Sequence, residues 1–171
     1  MSAHRLESKR LLLLPWEFSD WITFKPIATD PAVVRYISDR VPWTDEKIVE
    51  FVERQKRNYL ELGYCLWRVV QKTDGRLAGF CGLQPLEDLP GIEIGWWLAE
   101  DLWGQGLATE AAQVALADGF DRIELQRIVA VALRENRAST RIMDKLGMKY
   151  ECDAVHRGFP VVLYAIERKK S

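Results

Sequence analysis

The segment with the most chemistry in it lies between residues 92 and 111. Ile94-Gly95-Trp96-Trp97-Leu98 has the apolar, aromatic make-up of a strand, and Trp103-Gly104-Gln105-Gly106-Leu107-Ala108-Thr109-Glu110-Ala111 follows a few residues later. The spacing predicts a strand, a tight turn holding two glycines, and a helix that starts at once. The first N–H groups of a helix have no partner inside it and sit at the positive end of its dipole. Glycines let a ligand come close to the backbone. The combination suits a pyrophosphate, and Ala108, Ala111 and Ala112 let the helix lie close to a sheet. Two commoner phosphate loops are absent. There is no GxxxxGK[ST], and position 109 is Thr where a dinucleotide fingerprint starting at Gly104 needs Gly.

The elements that must position this segment follow in the order β, helices, three consecutive strands, α, β, α, β, β. Residues 10–14 read as a strand stopped by Pro15, and residues 18–27 as a helix interrupted at Pro26. Asp30-Pro31 starts a short helix. Thr44 caps a longer one, with Asp45 and Glu46 near its positive end and Ile48, Phe51, Val52, Tyr59 and Leu62 at helical spacing before Gly63. Residues 64–71 and 77–83 flank the hairpin signal Thr73-Asp74-Gly75. Beyond the strand Ile92–Leu98, residues 107–120 form a helix and 127–133 a buried-type strand. Asn136 caps a helix that runs to Leu146 and stops at Gly147, and strands 148–152 and 161–166 close the chain. An antiparallel run followed by βαβ units indicates an α/β (α+β) fold.

Composition narrows the function. The chain has 171 residues with no repeat or linker, so one domain over residues 1–171 is expected. Lys+Arg (24) nearly balances Asp+Glu (25), which argues against a nucleic-acid binder. No apolar run is long enough to span a membrane, and the first ten residues lack the apolar middle of a secretion signal. Three scattered cysteines without a CxxC, and two histidines, make a disulfide scaffold or a metal site improbable; a reducing cytoplasm is the expected setting. Cys81 reads as buried packing. His156, beside Arg157-Gly158, reads as a surface histidine in a turn. Seven tryptophans point to large aromatic surfaces in the core or along a cleft.

The segment Trp103–Ala108 resembles the cofactor loop of the GNAT N-acetyltransferases, pattern [Q/R]-x-x-G-x-[G/A], in the W-G-Q-G form of the ribosomal-protein (Rim-type) N-acetyltransferase-like subgroup. Other ordered motifs support the resemblance: the opening run from Ser8 to Pro15, Gly79-Phe80-Cys81-Gly82-Leu83, Asn136-Arg137-Ala138-Ser139, Lys145-Leu146-Gly147-Met148 and Val162-Leu163-Tyr164-Ala165. It implies a mixed, mainly antiparallel sheet of about seven strands flanked by helices. The strands Ile92–Leu98 and 127–133 would splay apart to hold acetyl-CoA, with no metal. Backbone groups of Trp96, Trp97 and Leu98 would bond the pantetheine arm, and Asn136 would contact it from the other side. Gly104, Gln105, Gly106, Leu107, Ala108 and Thr109 would hold the pyrophosphate.

The implied reaction moves acetyl from sulfur to an amine by direct attack in a ternary complex. It needs a neutral amine, a donor for the developing oxyanion and a proton for the leaving thiolate. A strand N–H near Trp97 or Leu98 would be the donor, Ser139 would serve the thiolate, Glu93 would be the base, and Tyr164 would be a further acid candidate. Trp43, Tyr64 and Glu93 would contact the acceptor, with Trp16, Asp45, Glu87 and Asp88 near the entrance. Each has a plainer role: Asn136 as a helix cap, Ser139 facing solvent, Glu93 as an outward strand residue, Trp43 as a staple. Near pH 7.5 neutralising a lysine costs about 4 kcal/mol and an α-amine under about 1 kcal/mol. With a single obvious carboxylate, an α-amine of a protein N-terminus or a small-molecule amine is the expected acceptor, and a homodimer is possible within such a family. A non-catalytic acetyl-CoA-binding sensor would carry the same loop.

Overall fold

The computed structural model describes residues 3–37 and 39–170. Among these, eight strands form one sheet in the order β1-β2-β3-β4-β5-β6-β8-β7. The strands are β1 (Leu6–Glu7), β2 (Leu11–Leu14), β3 (Leu66–Gln71), β4 (Leu77–Pro85), β5 (Ile92–Leu98), β6 (Arg127–Ala132), β7 (Lys149–His156) and β8 (Phe159–Glu167). Five α-helices flank them: α1 (Asp20–Ala28), α2 (Pro31–Val34), α3 (Asp45–Leu62), α4 (Leu107–Asp121) and α5 (Arg137–Lys145). All described strand pairs are antiparallel except β5 with β6. The fold is thus the mixed, mainly antiparallel α/β sheet expected. The two-residue β1 is too short to leave a sequence pattern.

The two faces of the sheet carry different helices. On β4, Phe80 packs edge-on against Phe24 of α1 and tilted against Phe51 of α3, at ring distances of 6.0 and 5.1 Å. The next side chains along point the other way, as strand alternation requires. Leu83 lies so close to Gly119 of α4 that a Cβ there would approach it to 2.7 Å. Small residues Ala111, Ala112 and Ala115 are fully buried on the same helix, which lets it sit tight on the sheet. No described helix is long and apolar enough to cross a membrane.

Local signals explain most element ends. Thr44 accepts from the Lys47 N–H at 3.2 Å, and Asp30 from the Ala32 N–H at 2.9 Å. Gly63 ends α3 in the left-handed conformation, φ 82°. Three expectations need correction. The first helix runs through Pro26 to Ala28; the proline removes one N–H, and the residue whose carbonyl it would reach, Ile22, faces solvent. β3 begins at Leu66, although Tyr64 and Cys65 before it are buried. The final hairpin is longer than expected, because β7 is an edge strand with largely exposed polar residues and so lacks an apolar alternation. Its turn is Arg157-Gly158, with φ of 51° and 82°, the mirror-image geometry that matches strand twist.

Candidate active site

A cleft opens where β5 and β6 part. The two strands pair at one position, Glu93 with Val129, and then diverge. The gap becomes a cavity of about 520 Å³ between Ile94–Leu98 and Val131–Leu133. One end reaches the start of α4 and the face of α5 carrying Asn136 and Ser139; the other reaches α3 and the β7–β8 turn.

The α4 end is built from backbone. Gly104 and Gly106 have φ of 77° and 76°, which a side chain would strain. The first N–H of α4 to find a carbonyl is that of Glu110, bonded to Gly106 at 3.0 Å. Those of Leu107, Ala108 and Thr109 precede it, so the helix offers them no acceptor. Side chains fix the loop from behind. The Trp103 indole donates to the Leu98 carbonyl at 2.9 Å. Arg10 donates to the Gln105 carbonyl at 3.0 Å and to Glu110 at 2.9 Å, and the Ser8 hydroxyl donates to Glu110 at 2.6 Å. Glu110, the acidic residue in the first turn, is therefore occupied by the turn between β1 and β2. The Asn136 side-chain oxygen caps α5 by accepting from the Ser139 N–H at 3.2 Å. Its NH₂ stays available to a ligand. Arg141 and Lys145 add positive charge to the cavity wall.

The other end is built from side chains. The Glu93 carboxyl is almost wholly buried and accepts from Gln84 Nε2 at 2.7 Å. Burial raises its pKa above the ordinary carboxylate value, opposed first by the Gln84 hydrogen bond and then by the charges of His156 and Arg157, with Asp88 adding to the rise. His156 is not a surface histidine. Its ring is mostly buried in the cavity wall, with Nδ1 at 2.6 Å from Asp88, which also accepts the Arg157 N–H at 2.6 Å. These two contacts hold the Asp88 carboxyl below its usual pKa range, the backbone bond contributing most. Trp97 lies 4.7 Å from Trp43 and 5.1 Å from Phe80, while Trp96 points to the opposite face of the sheet.

Of the residues expected to hold the cofactor, only Gln105 lies outside the cavity wall. Glu93, Ser139 and Trp43 line the cavity. Tyr164 and Tyr64 do not: Tyr164 pairs across the sheet with Ala130 and Tyr150, and Tyr64 is buried between α3 and β3. Trp16 is likewise core, donating to the Leu66 carbonyl and packed on Phe24 and Phe51. Asp45 pairs on the surface with Lys25. Sequence reasoning missed Gln84, Arg54 and the inward turn of His156. Arg54 carried a signal, since it follows Phe51 by one helical turn beside the apolar stripe of α3.

This fold is shared with acetyltransferases of known structure. Residues 10–149 match the acetyltransferase (GNAT) domain family, and the chain belongs to that family of acetyl-CoA-dependent transferases. It is 33% identical over 146 residues to the uncharacterized N-acetyltransferase YnaD of Bacillus subtilis, covering 85% of this chain and 83% of that protein. An acetyltransferase structure from Bacillus anthracis superposes with a TM-score of 0.83 at 28% identity, over 98% of this chain and all of that one. RimL, a ribosomal L7/L12 α-N-protein acetyltransferase in complex with coenzyme A, shares the fold at a TM-score of 0.80 and 18% identity, over 96% of this chain and 98% of that one.

Proposed function

We propose that the chain acts as one domain that transfers acetyl from acetyl-CoA directly to a primary amine in a ternary complex. The observation that carries this reading is the buried Glu93 at the fork of β5 and β6, facing the same cavity as the free N–H groups of α4. The cavity fits the cofactor chemically: backbone donors and two cations for phosphates at one end, and a strand-lined channel between. Leu107, Ala108 and Thr109 would bind the pyrophosphate through their N–H groups. Trp96 and the Leu98 N–H would bond the pantetheine arm; the Leu98 carbonyl already accepts from Trp103, and the backbone groups of Trp97, against expectation, turn toward β4. Acetyl-CoA supplies the acetyl group as a thioester.

The chain's own residues then manage charge and protons. Glu93 takes a proton from the acceptor amine. Its raised pKa narrows the gap to an α-amine, and the Gln84 bond still favours its ionised form. An N–H of β5 near Trp97 receives the charge that builds on the carbonyl oxygen, and Ser139 passes a proton to the sulfur. Direct attack is supported by the thiols. Cys65 and Cys81 are buried with their pKa values pushed up by burial, and Cys152 lies on the exposed edge strand β7. None of the three lines the cavity.

The test is release of CoA thiol from acetyl-CoA with peptides of varied N-terminal residue, free amino acids, polyamines and aminoglycosides. Release with one class above background supports the reading. Measured acetyl-CoA binding without release from any amine would instead favour a sensor.

A further inference from the structure

The acceptor end of the cavity is aromatic, and its polar groups are mostly donors. Trp43, Phe51, Phe80 and Trp97 form a continuous wall, with neighbouring ring distances of 5.4 Å (Trp43–Phe51), 5.1 Å (Phe51–Phe80) and 5.1 Å (Phe80–Trp97). Trp43 is 8% exposed, and its indole N–H is buried without a partner among the described residues. The Nε–H of Arg54 is in the same condition. The carboxylate beside its guanidinium, Glu87, is 3.8 Å away and mostly exposed. Arg157 also lines this end, while the Asp88 carboxylate is spent on the His156 ring and the Arg157 N–H. One carboxylate, Glu93, faces the cavity, and Gln84 occupies one of its oxygens. A buried donor left unpaired costs about 1–3 kcal/mol; both atoms belong to residues of the cavity wall, where the Arg54 guanidinium also lacks a close carboxylate among the described residues.

We propose that the acceptor is an α-amino acid or close analogue with a compact apolar or aromatic side chain. Its carboxylate meets the Arg54 guanidinium, its side chain lies on the aromatic wall, and its amine turns to Glu93. The inference rests on the transferase reading above and names its substrate. A polyamine would bring further cations beside Arg54 and Arg157 with little carboxylate to receive them. A peptide terminus would offer Arg54 only a neutral carbonyl. In the reaction the α-ammonium loses one proton to Glu93 and the nitrogen bonds to the acetyl carbon. The carbon–sulfur bond breaks, a second proton leaves the nitrogen for solvent, and the sulfur gains one from Ser139, which solvent reprotonates as Glu93 releases its own. The products are the N-acetyl amino acid, CoA thiol and one net proton.

The test compares L-phenylalanine and L-leucine, each with its amide and its decarboxylated amine, together with spermidine. Thiol release gives kcat/KM. At least one amino acid is expected to exceed its amide and its decarboxylated amine by about tenfold or more. Arg54→Met should bring that ratio close to one, and Arg54→Lys should keep part of it, with thermal unfolding confirming that both fold. An amide, a decarboxylated amine or spermidine matching or outrunning both amino acids overturns the inference and leaves the transferase standing. A second readout is independent of turnover: calorimetric titration of each amino acid into protein saturated with CoA. Binding that needs the carboxylate, without thiol release from any amine, upholds the ligand class and overturns the transferase reading. Absence of binding and of release with both amino acids overturns the inference.

Discussion

At the α4 end of the cavity the polar groups without a partner among the described residues are backbone N–H, those of Leu107, Ala108 and Thr109 beside two glycines of positive φ. At the other end the wall offers side chains from three elements and a loop: Trp43 in the loop before α3, Arg54 on α3, Glu93 on β5 and His156 on β7. A site made of backbone depends on conformation and tolerates changes of side chain that keep it. A site made of side chains depends on identity, and on the contacts that bring distant residues together. The two ends should therefore fail in different ways when altered.

The largest difference is expected from Glu93→Gln. If Glu93 takes the proton, kcat/KM falls by about 10²–10⁴-fold, while the acetyl-CoA dissociation constant, read by calorimetry, stays near that of the wild type. An equal loss in both would place Glu93 in cofactor binding instead. Gly106→Val should do the reverse. A β-branched residue at φ 76° costs about 1–3 kcal/mol, so acetyl-CoA affinity drops by roughly tenfold or more while kcat at saturating cofactor changes less. Gln105→Ala next to it should be nearly silent, because that residue serves the loop through its carbonyl bond to Arg10. Asp88→Asn should give a smaller loss still, seen as a lower unfolding midpoint and a modest fall in kcat/KM, because it loosens the hold on His156 and the turn.

The smallest effect is a shift along the pH axis. If Glu93 is the base, activity requires its ionised form, whose pKa burial raises, so the acid limb of the kcat/KM profile should lie above the ordinary carboxylate range. Gln84→Leu removes the bond that favours the ionised form and should move that limb to higher pH. Stability runs the opposite way. A carboxyl with a raised folded-state pKa binds more protons folded than unfolded, so its favourable contribution is complete below the unfolded pKa. That contribution is lost as pH rises through the folded value. At pH 8, Glu93→Gln should therefore raise the unfolding midpoint even as it lowers the rate.

The same contrast explains what the sequence showed. Gly104 and Gly106 are legible because a backbone demand leaves a residue type at a fixed spacing. Thr44, Asn136 and Gly63 are legible for the same reason, as caps. Strand alternation placed Trp96 and Trp97 on opposite faces. It did not show that Tyr164, one position past the fork on β8, lies on the opposite face of the sheet from Glu93, because period sets alternation within a strand and register between strands sets which face each residue takes. The contact of Asp88 with His156 spans 68 residues and leaves no local trace. The hairpin that delivers His156 was half hidden, since β7 has no buried face to write an apolar pattern.

The single rung between β5 and β6 has one more consequence. Successive amides of a strand point to alternate neighbours, so beyond Glu93 the β5 amides turned away from β4 have no strand to receive them. In the free protein they stand open to deuterium in the middle of an otherwise laddered sheet. With acetyl-CoA seated as proposed, the Trp96 and Leu98 amides should exchange more slowly while the Trp97 amide and the neighbouring β4 amides keep their rate. The missing half-ladder would thus serve as an internal gauge of occupancy, readable before any acceptor is known.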